Sequence, residues 1–223
     1  MAVVAPSTKE QIVRTAERLF AECGLDGVSL RQISAEAGNG NNSAVQYHFG
    51  SKDQLVQAVY EFRLPELYER RQILVSHRRP DDLRSWVECY VLPMLEQGEQ
   101  EGSHYLTFIA TLQQQTRRNL FECLPERFQA STRWFWERIG SLLPHIPEPL
   151  RTHRIGQAMA FTMHAAADRE RARNYGEEVL PFAVHVSDLV DGLLGFLAAP
   201  VSPTALAALE GVDPAALTWQ LSP

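Results

Sequence analysis

Three helix starts crowd into the first fifty-four residues, and they leave little room for any fold but a cluster of short helices. Ser7 and Glu10, Ser29 and Gln32, and Ser51 and Gln54 each repeat the spacing S-x-x-E/Q. In that box the hydroxyl accepts from the third backbone N–H and the longer side chain reaches back to the cap. One such box is common, so the information lies in the series. Between the boxes, Ile12, Ala16, Leu19, Phe20 and Cys23 form one apolar stripe at three- and four-residue intervals that stops at Gly24. The segment "LRQISAEAG" is a helix of barely two turns that stops at Gly38.

The stretch "GNGNNSAVQYHFGSK", Gly38 to Lys52, interrupts this pattern only to let it resume. A β-hairpin would need alternating strands, and neither flank alternates. A phosphate-cradling loop of the dinucleotide kind would need a preceding strand, and the preceding segment is a capped helix. The remaining option is helix, tight turn, helix. Gly38 and the Asn39-Gly40 pair tolerate the positive φ of such a turn, and Asn41 or Asn42 can cap the next helix. That second helix, Asn42 to His48 in outline, would expose Ser43, Gln46 and Tyr47 while Ala44, Val45 and Phe49 face inward. A plain polar loop in an all-helical core is the alternative.

The chain has 223 residues, 45% of them hydrophobic, enough for one mid-sized domain or a small domain joined to a larger one. A net charge of −6 argues against a strongly basic nucleic-acid wrapper but not against one localised contact surface. Cys23, Cys89 and Cys123 are odd in number and lack CxxC spacing, so neither a disulfide framework nor a metal site is expected. The start "MAVVAPSTKE" has no basic region before a long apolar run, and no window approaches a membrane span. A soluble, cytoplasmic protein without a membrane partner is expected. There is no HExxH and no GxSxG; His145 and His153, or His164, Asp168 and Glu170, come nearest to a cluster. No catalytic residue and no cofactor is therefore expected, although a helical enzyme or small-molecule-binding module without DNA binding stays open as the rival class.

The segments "IVRTAERLFAECGLDGVSLRQISAEAG" and "YHFGSKDQLVQAV", within residues 9–59, resemble the DNA-binding domain of the TetR (tetracycline-repressor-like) family of bacterial transcription regulators. Between Gly38 and Phe49 the chain is one residue longer than the usual spacing. Ser43 stands where the family often has glycine, and Gln46 where it often has tyrosine. The resemblance implies an all-α fold in two parts: a three-helix helix-turn-helix DNA-binding domain at 1–60, then a larger helical effector-binding and dimerisation domain at 61–200. A Pro/Ala-rich tail at 201–223 would come last, in which "PAALTWQL" could form a short docking helix.

On that reading the DNA contacts fall to Ser29, Arg31, Gln32, Asn41, Asn42, Ser43, Ala44, Gln46, Tyr47, His48 and Lys52. Gln46 could pair bidentately with adenine, and Ala44 could meet a thymine methyl. Lys52, Arg31, Ser29 and helix N-termini would hold phosphates. Residues 1–60 carry five cations (Lys9, Arg14, Arg18, Arg31, Lys52) against six anions (Glu10, Glu17, Glu22, Asp26, Glu36, Asp53), a balance of −1, yet 37–52 contains no anion. One subunit alone should bind weakly, so a homodimer on a near-palindromic double-stranded operator is expected, its reading helices about 34 Å apart.

Beyond residue 80 the segments keep helical spacing. Trp86, Met94, Tyr105, Phe108, Phe135, Met159 and Met163 could line a site for an apolar or aromatic small-molecule effector, with His104 or His164 as the polar handle. Residues at such spacing are more often plain core. The segment "EEVLPFAVHVSDLVDGLLGFLA" is apolar over more than one face. It resembles the family's intersubunit bundle, which would place Val186, Leu189, Val190, Leu193, Leu194 and Leu197 at a dimer interface; burial within one subunit is the alternative. The resemblance further implies a ligand-responsive repressor.

Overall fold

The computed structural model describes residues 7–38, 44–115 and 124–210, and every regular element among them is an α-helix. In chain order these are α1 (Thr8–Cys23), α2 (Leu30–Glu36), α3 (Ala44–Phe49), α4 (Lys52–Arg78), α5 (Leu83–Gly98), α6 (Tyr105–Gln115), α7 (Glu126–Ser141), α8 (Glu148–Asn174), α9 (Phe182–Ala198) and α10 (Pro203–Leu209).

The three capped starts sit where the sequence puts them. Ser29 forms a complete box, its hydroxyl accepting from Gln32 N–H at 3.2 Å while Gln32 Oε1 accepts from Ser29 N–H at 2.8 Å. Ser7 and Ser51 make the first half of the box only, each accepting from the third N–H at 3.2 Å. Glu10 turns instead to Arg14 at 3.0 Å. The corner after α1 needs its glycine twice over. Gly24 has φ +73°, and a Cβ there would collide with the Gln115 side-chain amide at the end of α6. The same Gln115 accepts from Leu25 N–H at 2.9 Å, so the α1–α2 corner is laced to α6.

α1 packs against α6 as well as against α4, and α2 and α3 close the small N-terminal cluster. Its core is Ile12, Val13, Ala16, Phe20, Ile33, Val45 and Phe49. Phe20 stacks on Phe108 of α6 at 6.1 Å between ring centroids, which continues the core without a break into the larger part. There α5 lies among α4, α6, α7, α8 and α9, and α6 is sandwiched between α1 and α8.

α4 runs for 27 residues and carries Pro65 in its interior. The division expected at residue 60 thus falls inside one continuous helix. A mid-helix proline removes a hydrogen bond and usually kinks or ends the element. Here Tyr60, Leu64, Leu67, Tyr68 and Leu74 are buried on both sides of it, so packing holds the helix where local preference would not. The tail is not wholly irregular: Ser202 caps α10, accepting from Ala205 N–H at 3.2 Å, although no residue of α10 is buried. The segment "PAALTWQL" lies outside the described residues.

Two buried carboxylates organise the junction between the parts. Glu17 of α1, 1% exposed, takes Arg63 of α4 bidentately, with Nε at 2.7 Å and Nη2 at 2.6 Å, and also accepts from His104 N–H ahead of α6 at 3.1 Å. Arg63 reaches on to Gln100 Oε1 at 3.0 Å, and Gln97 donates to its carbonyl at 2.8 Å. Glu170 of α8 meets the first turn of α6 from the other side. It accepts from Ser103 Oγ at 2.8 Å, Leu106 N–H at 3.3 Å, and Thr107 N–H and Oγ1 at 2.7 and 2.8 Å. A carboxylate at a helix N-terminus is where the unsatisfied amides and the macrodipole favour one.

Candidate functional site

α3 is six residues long and is pinned by Val45 and Phe49, both buried, which turns Gln46, Tyr47 and His48 to solvent. Tyr47 is 85% exposed, with the His48 ring set against it edge to face at 5.1 Å. Gln46 Nε2 donates to the Gly50 carbonyl at 2.8 Å, which closes the C-terminal end of α3 and commits one of its amide hydrogens. α2 packs on α3 and brings the capping pair Ser29–Gln32 and the exposed Arg31 to the same cluster. Arg31 forms no ion pair among the described residues, whereas Arg14 is held by Glu10 and Arg18 by Glu22 and Glu36. Lys52 is half-buried and donates to the Leu25 carbonyl at 2.7 Å, so part of its role is to tie α4 to the α1–α2 corner. Asn41, Asn42 and Ser43 lie outside the described residues, as does the side chain of Ala44.

A second feature lies deeper. A cavity of about 140 Å³ opens between α4, α5, α6, α7 and α8. Leu64, Leu67, Met94, Ile109, Met159 and Met163 give it an apolar wall, and Tyr60, Tyr68, Tyr90, Tyr105, Thr132 and Trp136 give it polar tips. Burial holds the Tyr105 phenol well above its ordinary value, so the group is a neutral hydroxyl. Burial raises Tyr68 too, against the pull of the neighbouring Arg71 charge. Tyr68 and Thr132 share a hydrogen bond across the α4–α7 contact, and Trp136 Nε1 donates to Tyr90 at 3.3 Å.

Arg71 is the only charged side chain among the described residues that line this cavity, and it is 4% exposed. Its Nε donates to the Tyr90 carbonyl at 3.0 Å, and its guanidinium lies 3.9 Å from the Tyr90 ring centroid, 5.1 Å from Tyr68 and 5.7 Å from Phe135. No described carboxylate pairs with it. Stacking on an aromatic ring offsets about 2 kcal/mol when desolvated, while burying an ion costs several kcal/mol after relaxation. The guanidinium thus has ring and hydrogen-bond partners but no counter-ion among the described residues.

Two family models match the chain on either side of the middle of α4. The family model described as bacterial regulatory proteins, tetR family, matches residues 12–59, and that described as tetracyclin repressor-like, C-terminal domain, matches residues 88–199. The chain belongs to the TetR family. Among solved structures it is similar to a protein assigned to the tetR family of transcription regulators from Shewanella sp. PV-4, at 18% identity over 84% of this chain and 96% of that one, with a TM-score of 0.54. A tetR-family protein from Mesorhizobium loti MAFF303099 aligns over 84% of this chain and 95% of that one, at 18% identity and a TM-score of 0.49. No curated protein matches the chain.

Within this TetR frame, Met94, Tyr105, Met159 and Met163 line the cavity, and five other candidates do not. Phe108 is buried between Phe20 and Tyr60, where α6 meets α1 and α4. Phe135, Trp86 and Trp134 form an aromatic cluster behind the wall, which Phe135 joins to the lining Tyr90. His104 sits at the α6 entrance, its ring 3.4 Å from Asn174 Nδ2, and His164 is on the surface. Among the described residues that line the cavity the charged one is Arg71, and none is a histidine. Its signal was present in the sequence as an arginine at a stripe position, four after Leu67 and three before Leu74.

The interface candidates lie on the inner face of α9. Leu189, Val190, Leu193 and Leu197 are buried against α5 and α8 of their own chain, and Val186 and Leu194 are half-buried on the same core. The apolar side chains that remain exposed here are Phe161 of α8, Leu180 in the preceding link, and Val184 and Phe196 of α9, with Gly192 and Gly195 open beside them. No single helix among the described residues is long and apolar enough to cross a membrane.

Proposed function

We propose that this TetR-family regulator is a ligand-responsive repressor that binds a near-palindromic operator as a homodimer. The observation that carries the proposal is the posture of α3. Two core anchors, Val45 and Phe49, leave an uncharged helix face whose Tyr47 is 85% exposed, with only the neighbouring His48 ring against it among the described residues. A short helix so presented fits the major groove, where Gln46 and His48 meet base edges and the Tyr47 hydroxyl reaches a phosphate or a base. Arg31 and the amides of the α2 N-terminus supply the backbone grip. The exposed Phe161 of α8 and Val184 and Phe196 of α9 favour a paired subunit, whose partner would cover them.

Coupling between cavity and DNA is carried by shared elements. α4 lines the cavity with Tyr60 to Arg71 and begins, at Lys52, beside the α1–α2 corner. α6 lines it with Tyr105 and Ile109 and is laced to α1 by Glu17, Gln115 and Thr111, whose hydroxyl donates to the Ala21 carbonyl at 3.3 Å. A ligand that prefers one placement of α4 and α6 releases DNA to the extent of that preference and no further.

Selection of bound duplexes from a random pool tests the assignment and yields the operator for titration. Each phosphate contact contributes about −0.9 to the slope of log affinity against log salt. Arg31→Ala should therefore weaken binding to all sequences alike and flatten the dimer's slope by roughly two. Tyr47→Ala should instead change base preference or lose affinity with the slope intact. A folded dimer that enriches no sequence, or two variants with the same salt signature, would defeat this reading.

A further inference from the structure

Two arginines of α4 lie two turns apart, both buried to 4% exposure, and their surroundings differ in one respect. Arg63 is held bidentately by the Glu17 carboxylate. Arg71 has no carboxylate among the described residues, and the cavity it lines offers apolar walls, neutral hydroxyls and the Gln113 amide. Buried charges are ordinarily paired. We propose that the missing partner is the ligand: the cavity binds a small monocarboxylate with an apolar body, its carboxylate on the Arg71 guanidinium and its body against Met94, Ile109, Met159 and Met163. The proposal rests on the reading of this cavity as the effector site and gives that effector a chemical class.

Geometry favours a carboxylate over other anions. The Tyr90 ring at 3.9 Å covers one face of the guanidinium, and the Nε–H is spent on the Tyr90 carbonyl. The terminal N–H donors lie in the guanidinium plane, away from that stacked face; the Tyr68 hydroxyl meets this edge, and a planar carboxylate matches the fork they form beside it. One cation balances one negative charge; a phosphate dianion would leave a second charge unmet in an apolar wall. A cationic ligand would meet repulsion, and a neutral one would leave Arg71 as it is. Size sets the body: a dry cavity of about 150 Å³ holds one benzene, close to the 140 Å³ found here.

Calorimetric titration of the full chain with benzoate and hexanoate, and with benzamide and hexanamide, isolates the charge at nearly constant shape. The acids should bind roughly ten- to a hundredfold more tightly than their amides, the worth of hydrogen bonds to an ionised group. In Arg71→Gln that preference should vanish while the amides bind as before. Amides equal to acids in the unmodified protein, a preference that survives in Arg71→Gln, or no binding by any of the four compounds would each overturn the proposal. Anisotropy on the selected operator separates this failure from failure of the effector reading. Acids that bind through Arg71 without altering operator affinity leave the carboxylate site standing and sink the effector role. Operator release by acids and amides alike does the reverse.

Discussion

Arg63→Met should destabilise the protein by about 3–5 kcal/mol, the penalty for leaving one member of a buried ion pair uncompensated. The orphan would be Glu17, 1% exposed between α1, α4 and the start of α6, with the His104 N–H as its remaining donor. Burial on its own would depress the Arg63 guanidinium, but its bonds to Glu17 and the Glu17 charge outweigh that, and the net displacement is upward. A cation raised in the folded state contributes stability below its ordinary value and loses it only as pH climbs through the folded one. Both values lie above the working range of the protein, so the guanidinium itself adds no pH dependence to stability across neutral pH. The double replacement Glu17→Leu with Arg63→Met removes both charges together and should recover most of the stability. Denaturant unfolding of the four members of this cycle checks the expectation; a double variant no more stable than Arg63→Met would refute the assigned compensation.

Glu170→Ala should cost a similar amount for a different reason. It removes no ion pair, but it strips the carboxylate from four donors at the start of α6: Ser103 Oγ, Leu106 N–H, Thr107 N–H, and Thr107 Oγ1, which keeps the Ala167 carbonyl at 3.4 Å. A buried donor left unmatched costs about 1–3 kcal/mol, and the sum is softened by relaxation and by water entering the space. A net loss of about 3 kcal/mol corresponds to a fall in Tm of roughly 6–12 °C for a chain of this length. Glu170→Gln keeps one acceptor oxygen but sets an amide donor against donors, so it should fall between the two. Hydrogen exchange localises the effect. The Leu106 and Thr107 amides should lose protection well ahead of α9, and uniform loss across the chain would contradict a local role for Glu170.

How much of this could be read from residues alone varies with the kind of signal. The N-terminal corner was legible because caps, glycines and stripe spacing are local: Ser29–Gln32, Gly24, Val45 and Phe49 all behave as their neighbours along the chain require. Gln46 and Lys52 were legible as surface polar residues, but their bonds to the Gly50 and Leu25 carbonyls depend on the folded approach of distant backbone. The passage of α4 through Pro65 was obscured because proline is a local stop sign and the force that overrides it is packing. The α9 leucines carry the same chemistry whether a second subunit or their own α5 and α8 cover them, so spacing could not choose. Arg71 was visible as an irregularity on an apolar stripe, yet only the juxtaposition of five helices turns it into the one cation of a cavity among the described residues.

The unbroken course of α4 bears on how such regulators can be recombined. A chimera cut near residue 60, where the sequence pattern closes its compact N-terminal unit, would sever a rod and graft a foreign stem onto Glu17, which needs a guanidinium at position 63. A junction in the short link after Arg79, whose left-handed backbone ends the rod, keeps donor helix and acceptor carboxylate from the same parent. Even then the incoming sensor must present a Gln115 equivalent to the Gly24 corner. Recombination of this chain is therefore constrained less by where its N-terminal unit ends than by which stem that unit was born on.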